Sequence, residues 1–240
     1  MANLSLIRKF KANFIRFGLD RFIPFKNGML NIIYLSRISE WHRKQPKIKF
    51  NDFYSGAWDY SKRYKLYEFL FQNESTDATI NYLEFGVSKG HSFKWWVDRN
   101  KQADSEFHGF DTFTGLPEDW GPFKAGAMSN GNKPPEINDL RVVFHTGLFQ
   151  QTLPIYIEKL KQDNSKRKVI HLDADLYSAT LYVLTSLAPY LKKGDIILFD
   201  EFAVPQSEFL AYMDFTRSFY IDFEMIAAAN NYFFVAFKMK

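Results

Sequence analysis

Val169-Ile-His-Leu-Asp-Ala-Asp-Leu-Tyr-Ser-Ala-Thr180 and Gly194-Asp-Ile-Ile-Leu-Phe-Asp-Glu-Phe202 bracket a segment of helix length. The apolar runs Val169–Asp173 and Asp195–Phe199 predict two short buried strands, each running into carboxylates. Between them Leu181, Leu184, Leu187 and Leu191 fall on one side of the expected helix. A strand–helix–strand unit implies two parallel strands, and ligands of open α/β sheets sit beyond the carboxyl ends of such strands. Asp173, Asp175, Asp200 and Glu201 would gather there. Four acids at one sheet edge repel one another, so a cation or a proton is expected among them. A plainer reading has Asp175 capping the helix and Glu201 facing water. The placement of acids at both strand ends favours function.

Upstream, Asn81-Tyr-Leu-Glu-Phe-Gly-Val-Ser-Lys-Gly-His-Ser92 reads as a strand ending at Phe85, a glycine-bounded turn, and a helix beginning near Gly90. Glycines let the backbone approach a ligand closely, and a helix N-terminus presents free N–H groups. The turn fails the dinucleotide fingerprint G-x-G-x-x-G, because counting from Gly86 the later glycine positions hold Ser88 and His91. Glu84, an acid at a strand end, needs a donor partner, which a ligand's amino group could supply. Phe107-His-Gly-Phe-Asp111 predicts a second strand whose terminal acid is placed to take ribose hydroxyls. Glu118 to Pro135, rich in Gly and Pro, predicts a long loop at the ligand edge. Arg141–Thr146 predicts a third strand, and Thr152-Leu-Pro154 the start of a helix running to about Asp163. Ser207–Tyr220 predicts a helix. Phe223–Ala229 and Tyr232–Lys238 predict strands joined by an Asn230–Asn231 turn, so the sheet is mostly parallel with one antiparallel strand.

Composition suits a globular α/β chain: 240 residues, 46% hydrophobic and 24% charged. Aromatics are high at 18%, with 26 Phe and 13 Tyr, which calls for a ring-rich core or a ring-lined pocket. The absence of cysteine excludes disulfides and thiolate metal sites and fits a reducing cytoplasm. The five histidines, His42, His91, His108, His145 and His171, are not spaced as a metal cluster, although His171 could orient Asp173. Net charge is a mild +4, but basic residues crowd the first fifth of the chain, opposed there only by Asp20 and Glu40. No nucleic-acid motif accompanies them.

Leu4–Phe22 reads as an amphipathic helix with Ile7, Phe10, Phe14 and Phe17 at helical spacing. It could lie on a membrane surface, or dock on the domain or on a second copy of the chain, and packing is the commoner use of such a stripe. A second helix is expected over Met29–Arg43. Phe53–Gln72 is ring-rich, with Tyr60, Tyr64, Tyr67 and Phe71 on one helical face, suited to core packing or to a lid over a pocket. The expected division is a helical lid or docking segment over 1–75 and a catalytic domain over 76–240.

Taken together, Glu84-Phe-Gly-Val-Ser-Lys-Gly90, Asp111-Thr-Phe-Thr-Gly-Leu-Pro117, Gly147-Leu-Phe-Gln-Gln-Thr-Leu-Pro154, Leu172-Asp-Ala-Asp-Leu-Tyr177 and Phe199-Asp-Glu-Phe202 resemble the macrocin O-methyltransferase family of class I S-adenosylmethionine-dependent methyltransferases. The resemblance covers roughly residues 80 to 205. It implies a Rossmann-like, mostly parallel seven-stranded sheet with one antiparallel strand, preceded by the N-terminal helical segment. It implies S-adenosylmethionine held by Glu84, Gly86, Ser88, Gly90, Ser92, Asp111, Thr112, Phe113 and Asp173. It also implies Mg²⁺ on Asp173, Asp200 and Glu201, with Asp175 as general base. Glu201 departs from the pattern, since many relatives carry a second aspartate there. The implied acceptor is a hydroxyl of a sugar or secondary metabolite. A nicotinamide-dependent oxidoreductase and a catalytically silent S-adenosylmethionine-binding module are the alternatives. The failed glycine fingerprint disfavours the first, and the crowded acids disfavour the second.

Overall fold

The computed structural model describes residues 4–240, which form two compact units that meet in sequence at Arg43 and Lys44. The first unit holds helix α1 (Leu4–Arg16), a 3₁₀ turn (Leu19–Phe22) and helix α2 (Lys26–Lys44), whose last residue crosses the division. Gly18 ends the first helix in the left-handed conformation, φ 57°. No helix among the described residues is long and apolar enough to cross a membrane.

The second unit is one eight-stranded sheet with flanking helices. Its strands are β1 (Phe50–Asn51), β2 (Ile80–Phe85), β3 (Glu106–Asp111), β4 (Val142–Thr146), β5 (Arg167–Leu172), β6 (Ile196–Phe199), β7 (Phe223–Ala229) and β8 (Phe234–Met239). Their spatial order is β1-β7-β8-β6-β5-β2-β3-β4. Only β8 runs antiparallel to its neighbours β6 and β7. The sequence predicts seven strands; the eighth is β1, two residues at the edge beside β7, too short to leave a periodic signal. The strand order reverses at β2: β3 and then β4 are added on one side of it, β5 and then β6 on the other, all parallel. That is a topological switch point, where ligands of such sheets bind.

The period of two along a strand sorts the core. Ile80 and Tyr82, Phe107, Val169, and Ile196 and Leu198 pack with Leu66, Tyr67 and Leu70 of α3 (Lys62–Asn73) and Phe93, Trp96 and Val97 of α4 (His91–Arg99). The opposite parity meets α5 (Phe149–Gln162) and α7 (Glu208–Phe219), through ring contacts Phe85–Phe149, Phe110–Tyr156 and Phe199–Tyr212. Helix α6 (Tyr177–Leu187) lies between α5 and α7. Its buried face is Thr180, Val183, Leu184 and Leu187, a rotation of the predicted stripe. Leu191 lies past the helix, because the segment Ala188–Tyr190 with its Pro189 tightens to 3₁₀.

Helix α5 starts one turn earlier than predicted. Gln151 accepts the Leu148 N–H through its side-chain oxygen (3.1 Å), satisfying a donor at the helix start. The β7–β8 turn is longer than predicted, with Asn230, Asn231 and Tyr232 all at positive φ. It serves as a clamp: Asn231 exchanges two hydrogen bonds with Ser55 (2.8 Å each), and Asn230 accepts the Asp59 N–H (3.2 Å). The segment leading into α3 is thereby fixed to the sheet. One buried ion pair was not foreseen: Lys168 and Asp195, 2.9 Å apart and both fully buried, tie the start of β5 to the start of β6.

Candidate active site

Beyond the carboxyl ends of β2, β3, β5 and β6 lies a cavity of about 490 Å³, a volume suited to a nucleoside-sized ligand. Of the residues the sequence assigns to cofactor, metal and base, Gly86, Ser88, Gly90, Ser92, Asp111, Thr112, Asp173, Asp175 and Glu201 line it. Glu84, Phe113 and Asp200 do not. Strand parity explains Glu84 and Asp200, which point with Tyr82, His171 and Leu198 towards α3 rather than into the cavity. Phe113 is buried against Phe144, ring centroids 6.0 Å apart.

The β2–α4 turn is shaped by contact with the β5 end. Gly86 adopts φ 97°, and a Cβ there would stand 1.8 Å from the Asp173 carbonyl oxygen. Gly86→Ala is therefore expected to cost roughly 3 kcal/mol or more, overpacking and backbone strain combined. Thermal melting checks this, with Gly56→Ala, where the added carbon meets nothing within 4 Å, as the neutral control. Asp111 closes the adjoining side. One of its carboxylate oxygens accepts the Ser88 N–H and the other the Phe113 N–H, both at 2.7 Å. Each oxygen keeps a lone pair for a ligand hydroxyl. The loop after β3 folds back on itself through Leu116 and Ala127 (2.9 Å) and Gly126 and Leu116 (2.8 Å), and walls the cavity with Leu116, Pro117, Glu118 and Met128.

The buried acid Glu84 finds its donors within the chain. Ser92 donates at 2.7 Å, Tyr82 donates to the other oxygen, and the His171 imidazole lies 3.4 Å away. His171 sits between Glu84 and Asp200, 3.5 Å from the latter. Burial opposes its charge, but the two carboxylates outweigh burial and raise it to about 10, so it is an imidazolium.

Sequence reasoning missed Arg63. From α3 it reaches down to Asp200 at 2.5 Å and stands 3.9 Å from Asp173. Its guanidinium lies over the Tyr60 ring, 3.7 Å from the centroid, and near Phe234 at 5.1 Å. The Tyr60 hydroxyl donates weakly to Asp200 at 3.4 Å. A signal was present: Tyr60, Arg63 and Tyr67 share one helical face, so a charge interrupts the aromatic stripe.

Asp173 and Asp175, two positions apart, share no strand face, because β5 ends at Leu172. Asp175 is aimed instead by a left-handed backbone, φ 58°, pinned where Ser207 at the start of α7 donates to its carbonyl. The Asp175 and Glu201 carboxyl groups hydrogen-bond to each other. Burial, with the charges of Asp175 and Glu208, pushes Glu201 up to about 11; Asp175 is raised to about 6 by burial and by Asp200, with Glu201 relieving it. Asp173 is held well above the usual carboxylate range by burial and by Asp200.

These residues do not make a cation site as arranged. Asp200 is engaged by Arg63 and His171, and the longer Glu201 turns to Asp175 while its backbone N–H donates to Glu208 at 2.9 Å. Among the described residues no group of three or more His, Cys, Asp or Glu could hold a metal ion. A nucleoside-type cofactor does fit: the glycine turn, the Asp111 oxygens and the cavity face one another.

A family model described as "Methyltransferase domain" matches residues 83–202, from within β2 to just past β6. The chain belongs to this methyltransferase family. No curated protein matches it. Among solved structures, the calicheamicin methyltransferase CalS11 is 18% identical with a TM-score of 0.58, covering 86% of this chain and 91% of that one. The O-methyltransferase NovP is 16% identical with a TM-score of 0.55, covering 88% and 98%. An apo form of CalS11, described as TDP-rhamnose 3'-O-methyltransferase, gives 19% and 0.52, covering 86% and 93%. The fold is thus the Rossmann-like fold of these methyltransferases.

Proposed function

We propose that this methyltransferase is S-adenosylmethionine-dependent and methylates a hydroxyl of a sugar or secondary metabolite, as its resemblance to the macrocin O-methyltransferases implies. The observation that carries this is the convergence of the Gly86–Gly90 turn, the Asp111 carboxylate and Asp175 on one cavity at the switch point. When bound, S-adenosylmethionine supplies a methyl already activated on a sulfonium. The turn and the first N–H groups of α4 would hold its amino-acid end, and the Asp111 oxygens its ribose hydroxyls. Asp175 accepts the acceptor's proton, and protonated Glu201 steadies the neighbouring charge. CalS11 as a sugar O-methyltransferase lends the acceptor class support at the level of fold.

The positive charges facing Asp173 and Asp200 are those of Arg63 and His171, so no step is assigned to Mg²⁺. Within this reading residues 76–240 are the catalytic domain, and the segment before them helps select the acceptor, since Tyr60 and Arg63 enter the cavity from it. A cytoplasmic setting accords with the lack of cysteine.

Calorimetry tests the reading. S-adenosylmethionine or its demethylated product should bind, and Asp111→Ala should weaken binding about 10- to 100-fold, the loss of hydrogen bonds to a charged group worth about 1.5–3 kcal/mol. Binding of a nicotinamide dinucleotide in their place would overturn it. Mass spectrometry of products from glycan and phenolic panels then identifies the acceptor.

A further inference from the structure

The first compact unit exposes apolar and basic surface together. Helix α1 buries no residue. Leu6, Phe10, Phe14 and Phe17 recur along one stripe; Phe10 is 66% exposed and its ring lies 6.1 Å from that of Phe14. The remainder of α1 carries Arg8, Lys9, Lys11 and Arg16, and the helix has no acid. Further on, Phe22 and Phe25 are 79% and 87% exposed on either side of Pro24. Soluble monomers rarely leave apolar side chains exposed in such continuity.

We infer that this unit seats on an anionic lipid surface, with α1 lying in the plane of the interface. A second copy of the chain could cover the apolar stripe, but it would bring the same uncompensated basic residues against one another. An anionic bilayer answers both features: rings enter the headgroup–acyl boundary while Lys and Arg stems reach the phosphates. At 13 residues α1 is about 20 Å long against a hydrocarbon core of about 30 Å, so it lies on the surface rather than spanning.

The test is sedimentation of the full-length protein with phosphatidylcholine vesicles, with and without equimolar phosphatidylglycerol. Binding should be at least about tenfold tighter to the anionic vesicles and weaken as salt shortens the Debye length from about 10 Å at 0.1 M to about 3 Å at 1 M. Phe10→Ser and the double variant Lys9→Glu/Lys11→Glu should each lose vesicle binding about tenfold or more while cofactor binding, read by calorimetry, is unchanged. Equal binding to both vesicles, or none to either, would overturn the inference. So would light scattering that shows a dimer abolished by Phe10→Ser in a protein that ignores vesicles; the stripe is then an interface between copies.

Discussion

Asp175→Asn is expected to lower kcat by about 10²- to 10⁴-fold, the usual worth of a positioned general base, while cofactor binding measured by calorimetry stays within about twofold. The substitution isolates charge from shape. Asparagine tolerates the left-handed backbone at φ 58° better than other non-glycine residues, so the turn held by Ser207 persists. Its amide oxygen can still accept from protonated Glu201, and only the proton-accepting carboxylate is lost. Asp175→Ala would mix the same chemical loss with backbone strain and is the poorer probe. Turnover near that of the parent protein would remove Asp175 from the role of base and return it to that of a turn residue.

Arg63→Ala should be the most destabilising of the site substitutions. The guanidinium is buried with Asp200, and removing one partner of a buried pair costs about 3–5 kcal/mol because the other charge is stranded. For a chain of this size that corresponds to about 2–4 °C of Tm per kcal/mol, an easily read shift. Arg63→Lys should recover part of it, since an ammonium keeps the charge but loses the planar fork and the stacking on Tyr60. The variant also has a metal readout. With Arg63 gone, the Asp173 and Asp200 oxygens become available to a hard cation. Mg²⁺ should then raise the Tm of Arg63→Ala but leave the parent protein unmoved. A parent protein whose Tm and turnover both depend on Mg²⁺ would show that Arg63 yields its place in solution, and the assignment of the positive charge would be withdrawn.

The two substitutions divide along what could be read from residues alone. Short buried runs ending in acids, such as Val169–Asp173 and Phe107–Asp111, are local signals, and they placed strands, direction and the ligand edge correctly. The glycine turn was legible because Gly86 takes φ 97°, which favours glycine locally, while the Asp173 carbonyl that also demands glycine there lies far along the chain. Glu84 and Asp200 were harder: their residue types suggested ligands, but their parity turns them towards α3 and into a pairing with His171.

By itself the sequence determined the class of sheet, its ligand edge and the presence of an acid at the end of each central strand, because apolar runs and strand ends are written in neighbouring residues. Only the tertiary structure decided how those acids are neutralised. Arg63 meets Asp200 across more than half the chain's length, Glu201 meets Asp175 through a contact neither strand dictates, and Asn230 and Asn231 hold the segment that delivers Arg63. Electrostatic partners are chosen by distance in space, and periodicity along the chain carries no information about which distant cation will fill a cluster of carboxylates.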